Sequence, residues 1–288
     1  MVKYGGYGPL LMILAFCLWG ITPLFYHYLS DGNLSELLMY RVVWSVPALV
    51  VVRLLFHNRT FYHEIFRDKP SLFLCLVTGC LMTVSWTSFV YSLTHHRILD
   101  ASLGYFLNPL FTIFLGRCFL KERISLFQCV AILFGLCGLL YQIIMLRYIP
   151  ILALIMGLSF SLYSLIRKFI CYDVITSLTI ETLWVLPVIC VLFLCGGSLF
   201  NLPEHYPIWL YLMSVPVTFI PLILFTIALN NTSLVITGLA QYIEPSIQFL
   251  TATFIFGEAI NTPEIICFSS VWAGITLCIL ESIYHMGK

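Results

Sequence analysis

Long apolar stretches separated by short polar turns run through the whole chain. A membrane-spanning helix needs about 20 predominantly apolar residues, and ten such stretches fit the sequence. Their approximate limits are 8–29, 35–56, 71–94, 99–119, 124–145, 148–170, 174–196, 206–229, 234–256 and 262–284. The pattern predicts an all-α polytopic membrane protein with ten transmembrane helices, and the short connections leave no room for a soluble domain.

The two halves of the chain share an outline. A shift of 136 residues places Pro109, inside one apolar span, on Pro245, inside another. Five spans per half is an odd number, so the second half must insert with the opposite orientation to the first. We therefore predict an inverted 5+5 repeat of two five-helix units, residues 1–146 and residues 147–288. Inverted repeats place binding sites near the midplane, between the halves.

Composition supports a lipid environment. Of the 288 residues, 61% are hydrophobic and 9% are charged, whereas soluble domains carry roughly 25% charged residues. The net charge of +1 gives no basic surface for nucleic acid, so the expected partners are the lipid bilayer and a small molecule. The eleven cysteines lie almost wholly inside apolar stretches and lack metal-ligand spacing, so we predict neither a metal nor another cofactor.

The distribution of lysine and arginine predicts the orientation. With a cytoplasmic N-terminus, the cytoplasmic segments hold eleven of the fourteen cations and the opposite side holds two, Arg97 and Arg147. The remaining cation, Arg41, lies within the second span. Because cytoplasmic loops carry the excess of lysine and arginine, both termini are expected in the cytoplasm.

Three ionisable residues lie well inside predicted spans: Arg41, Glu181 and Glu244. An arginine at the depth of Arg41 costs several kcal/mol unless it pairs or faces water. It therefore either extends outward to the membrane surface, or pairs structurally with Glu36 or Glu181, or faces a cavity and meets an anionic group. Glu244 lies mid-span beside Pro245, whose ring frees a backbone carbonyl. It is a candidate cation site or proton-titrating group, and the alternative is a protonated or internally paired acid.

Aromatic side chains with polar tips recur at the depth of such a cavity and could stack on an organic ligand, although packing or lipid contact explains many of them. They are Trp19, Tyr26, Trp86, Tyr105, Tyr163 and Tyr242. The predicted substrate-binding set is Trp19, Arg41, Trp86, Tyr105, Asn108, Tyr163, Gln241, Tyr242 and Glu244. Helix bends are predicted at Pro23, Pro109 and Pro245.

Enzyme signatures are missing from the sequence. It contains no His-Glu-x-x-His, no Gly-x-Ser-x-Gly and no phosphate-binding loop, so we predict no enzyme activity. His95 and Asp100 have a bare acyltransferase spacing, but that motif needs a soluble fold, and Asp100 is better explained as the cap of the fourth span.

A series of motifs follows one order along nearly the whole chain. They are Ala15–Pro23, Glu36–Ser45, Ala101–Leu110 with Leu120–Arg123, Ser159–Lys168, Glu181–Leu183, Pro221–Thr226 and Gln241–Pro245. Together they resemble the RarD group of EamA-type transporters, in the drug/metabolite transporter superfamily. The resemblance implies two EamA-like five-helix repeats, a cavity lined by spans one to four and six to nine, and alternating access in the bacterial inner membrane.

These features predict a secondary transporter for a small organic metabolite or drug. A fixed cation at Arg41 and a fixed acid at Glu244 suit a zwitterionic solute such as an amino acid or S-adenosylmethionine. Arg41 would hold a carboxylate, and Glu244 an amine or sulfonium. The alternatives are a chloramphenicol-type efflux permease and, in another class, a non-transporting membrane scaffold or regulator. The sequence leaves the substrate, direction, coupling ion and a homodimer open.

Overall fold

The computed structural model describes residues 6–28, 43–52, 68–95, 98–146, 150–196, 207–257 and 261–286. Its regular secondary structure in these ranges is helical. The helices are α1 (Gly8–Tyr28), α2 (Val43–Val52), α3 (Lys69–Thr94), α4 (Ile98–Phe119), α5 (Leu126–Leu146), α6 (Ile151–Arg167), α7 (Val174–Gly196), α8 (Ile208–Asn230), α9 (Leu234–Gln241), α10 (Ile243–Phe254) and α11 (Thr262–Met286).

Each predicted span contains one of these helices, except that α9 and α10 share the ninth. Five helical stretches in the described residues are long and apolar enough to cross a membrane. They are Gly8–Tyr26, Lys69–Phe89, Leu126–Met145, Leu212–Asn230 and Thr262–Glu281. Large apolar side chains also cover the outside, such as Leu126, Ile144 and Phe254, which are 77%, 67% and 79% exposed. The prediction of an all-α, multi-pass membrane protein is confirmed.

The prolines in the spans have different local effects. Helices α1 and α4 run through Pro23 and Pro109 without interruption, and the predicted bends there stay predictions. The ninth span is interrupted at Tyr242, where α9 ends and α10 begins. Because Pro245 has no N–H, the carbonyl of Gln241 loses its usual i+4 donor. At the same place, Tyr242 N–H donates to the Leu239 carbonyl at 3.4 Å. This bond spans three residues rather than four, so the local turn is tighter.

The packing of the helices repeats after five spans. Helix α6 packs on α4 and α3, and α1 packs on the ninth span and on α8. Adding five to each span number, and continuing from span one after span ten, turns the first pair of contacts into the second. The same shift maps the packing of α5 on α11, and of α4 on α9, onto itself.

Helices α5 and α11 approach each other closely at two glycines. A Cβ atom on Gly138 would lie 3.1 Å from the Cα of Cys267, and one on Gly274 would lie 2.9 Å from the Cα of Ala131. As α5 advances from Ala131 to Gly138, its contact on α11 moves back from Gly274 to Cys267, so the two helices are antiparallel. A shift of 136 residues converts one contact into the other.

Enlarging either glycine should destabilise the protein. The expected loss for Gly138→Leu or Gly274→Leu is about 1–3 kcal/mol, because the opposing atoms belong to backbone that cannot rotate away. The midpoint of thermal unfolding in detergent measures it. Gly6→Leu is the control, since a Cβ on Gly6 meets nothing within 4 Å. Midpoints of both variants equal to that of the control would contradict the close packing.

Candidate functional site

Glu122 fixes the start of α9 from the other half of the chain. Its two carboxylate oxygens accept hydrogen bonds from the backbone N–H groups of Leu234 and Val235, at 2.9 Å each. The first N–H groups of a helix have no intrahelical acceptor, and a negative charge there is stabilising. Ser233 Oγ accepts from the next N–H group, that of Ile236, at 3.2 Å. The α4–α5 connection therefore caps a helix of the second half.

Local backbone geometry brings Glu122 into place. Lys121 adopts the left-handed conformation, with φ 54°, and Glu122 N–H donates to the Gly116 carbonyl at 3.2 Å. This turn folds the carboxylate back towards α9. A Cβ on Gly116 would lie 2.8 Å from the Cβ of Leu234 and 3.0 Å from Glu122 Oε2. Glycine at this position permits the close approach of the two helices.

Lys168 holds the end of α8 in a complementary way. Its Nζ donates to the carbonyls of Leu229 at 2.9 Å and Thr232 at 2.6 Å. A cation is favourable there because the last carbonyls of a helix carry partial negative charge. Lys168 and Glu122 also attract each other electrostatically. We call Glu122, Lys168 and residues 229–235 the connector clamp.

Other connections meet at the same end of the molecule. Tyr172 OH donates to the Asp68 carbonyl at 2.5 Å, and Ser125 Oγ donates to Glu281 Oε2 at 2.8 Å. The backbone of Gly8 lies against the turn at residues 231–232. Together with the connector clamp, these contacts join connections that the predicted topology assigns to one side. We call this side the shared end.

A buried ion pair joins three helices near the shared end. Arg167, which is 2% exposed, donates through Nη1 to Glu181 Oε1 and through Nη2 to Ser177 Oγ at 2.7 Å. Thr78 Oγ1 on α3 donates to Glu181 Oε1 at 2.7 Å. The guanidinium carbon of Arg167 lies 5.6 Å from the ring centroid of Tyr163. Charges removed from water need such pairing.

This pair gives Glu181 a partner that sequence analysis did not identify, Arg167. Arg41 lies outside the described residues, so its predicted pairing with Glu36 or Glu181 stays a prediction. The missed signal is a pair of opposite charges, Arg167 and Glu181, on either side of the short α6–α7 connection. Gly79 brings Thr78 within reach, because a Cβ there would lie 3.1 Å from the Glu181 carbonyl oxygen.

The predicted aromatic residues divide into packed and half-buried groups. The Trp19 ring centroid lies 5.5 Å from that of Phe225, and Trp19 and Tyr163 are buried in one apolar cluster. Trp86 and Tyr105 are half-buried, and the Phe89 ring links them at centroid distances of 5.9 and 5.8 Å.

A further pair of rings joins the two halves. Tyr242 lies in a second apolar cluster, 6.4 Å from Phe106, and these two residues are 136 positions apart. Each is thus the other's counterpart under the shift that relates the halves.

A polar stripe runs along the ninth span. Gln241, Glu244 and Gln248 are spaced by three and four residues, so they share one helix face. Thr237 and Thr251 extend the stripe at both ends with the same spacing. Glu244 and Gln248 are half-buried, whereas the other three are buried. Sequence analysis missed Gln248 and the threonines, although polar residues at helical spacing within an apolar span were the available signal.

The hydrogen bonding of this stripe is incomplete. Gln248 Nε2 donates to Glu244 Oε1 at 3.2 Å, and this is the carboxylate's one hydrogen bond within the described residues. Neither amide atom of Gln241 has a partner there. Buried polar groups without partners are rare and cost about 1–3 kcal/mol each, which makes this face a candidate binding surface.

The fourth span carries the matching stripe. A shift of 136 residues places Tyr105, Asn108 and Thr112 on the three central residues of the ninth-span stripe. Here Ser161 on α6 adds a hydroxyl: its Oγ lies 2.7 Å from the Gly157 carbonyl oxygen and 2.8 Å from Asn108 Oδ1, and Thr112 Oγ1 donates to it at 3.1 Å. Sequence analysis did not single out Ser161.

Comparison with known proteins identifies the class of this helical membrane protein as a transporter. The EamA-like transporter family matches residues 6–144. Protein RarD of Escherichia coli (strain K12) is 33% identical over 281 residues, which cover 96% of this chain and 95% of that protein. The chain belongs to the EamA-like transporter family, in its RarD group.

Two further likenesses cover nearly the whole chain. Chloramphenicol-sensitive protein RarD of Pseudomonas aeruginosa is 26% identical over 285 residues, covering 96% of this chain and 94% of that protein. One crystal structure matches with a TM-score of 0.69 over 95% of this chain and 96% of that one, at 16% identity. At that identity the match shows a common fold alone.

The ion pair should tolerate joint removal better than the loss of one partner. Arg167→Met or Glu181→Gln alone is expected to cost about 3–5 kcal/mol, because the remaining charge stays buried without its counter-ion. The double variant Arg167→Met, Glu181→Leu should recover much of that loss. Thermal unfolding of the purified protein measures all three.

Ser177→Ala serves as the control for the ion pair, since it removes one hydrogen bond and should cost about 1 kcal/mol. A double variant as unstable as the sum of the two single variants would refute this view of the pair.

Proposed function

We propose that this protein is a secondary transporter that carries a small organic solute across the membrane by alternating access. The observation that carries the proposal is the ninth-span stripe: a carboxylate and two carboxamides halfway along an apolar span, next to a helix interruption. Polar and ionisable side chains at that depth mark solute pathways. Transporters also build their sites at discontinuous helices near the midplane.

The two halves form an inverted repeat in this proposal, residues 1–146 and residues 147–288. Three observations support it: the helix contacts repeat after five spans, the antiparallel α5–α11 glycine contacts exchange under the 136-residue shift, and Phe106 touches its own counterpart, Tyr242. A two-fold axis that exchanges two antiparallel helices must be perpendicular to both of them. For helices that span a membrane, such an axis lies in the membrane plane.

The connector clamp is the closed gate of this transporter. It ties the α4–α5 connection to α9, and so one half to the other, while the buried apolar cluster containing Trp19 and Tyr163 fills the space behind it. Opening the shared end requires Glu122 to release two N–H groups. The lysine and arginine count assigns the shared end to the cytoplasm, and the bacterial relatives support the inner membrane.

The solute we propose is zwitterionic, such as an amino acid or S-adenosylmethionine. Glu244 would hold its amine or sulfonium, and Arg41, outside the described residues, would hold its carboxylate. The half-buried rings of Trp86 and Tyr105 provide apolar surface for the remainder of the solute. Chloramphenicol-type efflux is the second candidate, favoured by the name of the Pseudomonas aeruginosa relative.

Counterflow in proteoliposomes tests the function. Vesicles preloaded with S-adenosylmethionine, amino acids, nucleosides or chloramphenicol should accumulate the matching labelled tracer for one class, and Arg41→Ala and Glu244→Gln should abolish that accumulation. Arg123→Ala, on an exposed connection, is the control and should transport normally.

The outcome of this assay also separates the alternatives. Accumulation of chloramphenicol alone would favour the efflux reading. Failure of every solute class, with protein shown to be folded, would contradict transport of these solutes and favour the scaffold or regulator. Unchanged transport by both Arg41→Ala and Glu244→Gln would overturn the proposed site.

A further inference from the structure

We propose that the ninth-span stripe alone holds the cationic end of the solute, and that Gln241, Glu244 and Gln248 select a group with several N–H donors, such as a primary ammonium or an amidinium. The inference rests on the proposed function and narrows its solute. It assigns Gln248 a specificity role, and it excludes a sulfonium or quaternary ammonium as the group that Glu244 holds.

The first step concerns the helix that packs on each of the two polar stripes. Gly157 brings α6 close to the fourth span, because a Cβ on it would lie 3.1 Å from Asn108 N. Gly20 brings α1 close to the ninth span, because a Cβ on it would lie 2.7 Å from the Cβ of Ile247. Both helices therefore pack closely on a polar-striped span.

The second step concerns the side chain that lies one turn after each of these two glycines, on α6 and on α1. Four residues after Gly157 lies Ser161, whose Oγ lies 2.8 Å from Asn108 Oδ1 and accepts a hydrogen bond from Thr112 Oγ1. Four residues after Gly20 lies Leu24, a hydrocarbon side chain. Ser161 therefore supplies a hydroxyl from α6 to the fourth-span stripe, whereas no hydroxyl of α1 bonds to Gln241, Glu244 or Gln248 within the described residues.

The third step concerns which groups the ninth-span stripe leaves available. Glu244 accepts one hydrogen bond, from Gln248 Nε2, and has no salt-bridge partner within the described ranges. A carboxylate has about four acceptor sites. With its N–H group directed at Glu244, Gln248 keeps its amide oxygen as another acceptor, and the Gln241 amide, both of whose atoms lack partners, adds one more.

The fourth step is the chemistry that fits these acceptors. Carbonyl and carboxylate oxygens bind N–H donors, and charge-assisted bonds to a carboxylate are roughly twice as strong as neutral ones. A primary ammonium offers three N–H donors and the matching charge. A sulfonium or trimethylammonium offers charge but no donor, so it would leave the two amide oxygens unsatisfied.

The test compares two probes that share one skeleton, 2-phenylethylamine and its N,N,N-trimethyl derivative. Binding to the full-length protein in nanodiscs is measured by thermal stabilisation, which rises with ligand concentration relative to Kd. We expect the primary amine to bind at least about tenfold more tightly than the trimethyl derivative. Gln248→Met, which keeps the side-chain shape, should weaken primary-amine binding about tenfold, and Glu244→Gln should weaken it further.

Thr112→Val is the matched control, because Thr112 is the counterpart of Gln248 on the fourth-span stripe. Its affinity for the primary amine should stay unchanged. Equal affinities of the two probes, no stabilisation by 2-phenylethylamine, or equal effects of Thr112→Val and Gln248→Met would each overturn the inference.

Failure of this inference and failure of the proposed function are distinguishable. If counterflow shows transport of a solute and the two probes bind equally, the proposed transport function is supported and the proposed selectivity of the ninth-span stripe is refuted. If no solute is carried but the primary amine binds through Gln248, the subsite stands and transport falls.

Discussion

Everything polar inside a lipid-facing bundle must find its partner within the protein, and this constraint organises the molecule. Unsatisfied backbone or charged groups cost several kcal/mol in hydrocarbon, so helices fill the described residues and the buried charges of Arg167 and Glu181 are paired. Arg167 and Glu181 satisfy the constraint through each other, Ser177 and Thr78. Glu122 satisfies the open start of α9. The ninth-span stripe holds a buried amide, that of Gln241, for which the described residues supply no partner.

The helix contacts of the two halves are similar, whereas the side chains on the two polar stripes differ. Repeated contacts, such as Gly138 on Cys267 and Gly274 on Ala131, support the inverted repeat that we propose. The side chains do not follow that symmetry. Ser161 offers its hydroxyl to Asn108 on the fourth-span stripe, whereas no hydroxyl of α1 bonds to the ninth-span stripe within the described residues.

Much of the fold was predictable because bilayer thickness fixes the length of an apolar span, and the described helices lie within the ten predicted stretches with small shifts at their ends. The interruption beside Pro245 was not predictable from the missing N–H group alone, because α1 and α4 continue through Pro23 and Pro109. Partner choice was not predictable either. Glu181 pairs with Arg167 across the short α6–α7 connection, a partner that sequence analysis did not identify. Likewise, no local pattern showed that Glu122 would cap α9 or that Ser161 would reach Asn108, since both contacts depend on packing between distant helices.

The most direct test of this account is the distance across the shared end. Spin labels carried by unnatural amino acids at Arg123 and Asn230, both exposed, would leave the eleven native cysteines in place. Pulsed electron resonance on the protein in nanodiscs should show a short distance for the closed connector clamp and a second, longer one for the open state. Glu122→Ala should raise the longer population. A single distance that Glu122→Ala leaves unchanged would contradict the view of this end as a gate.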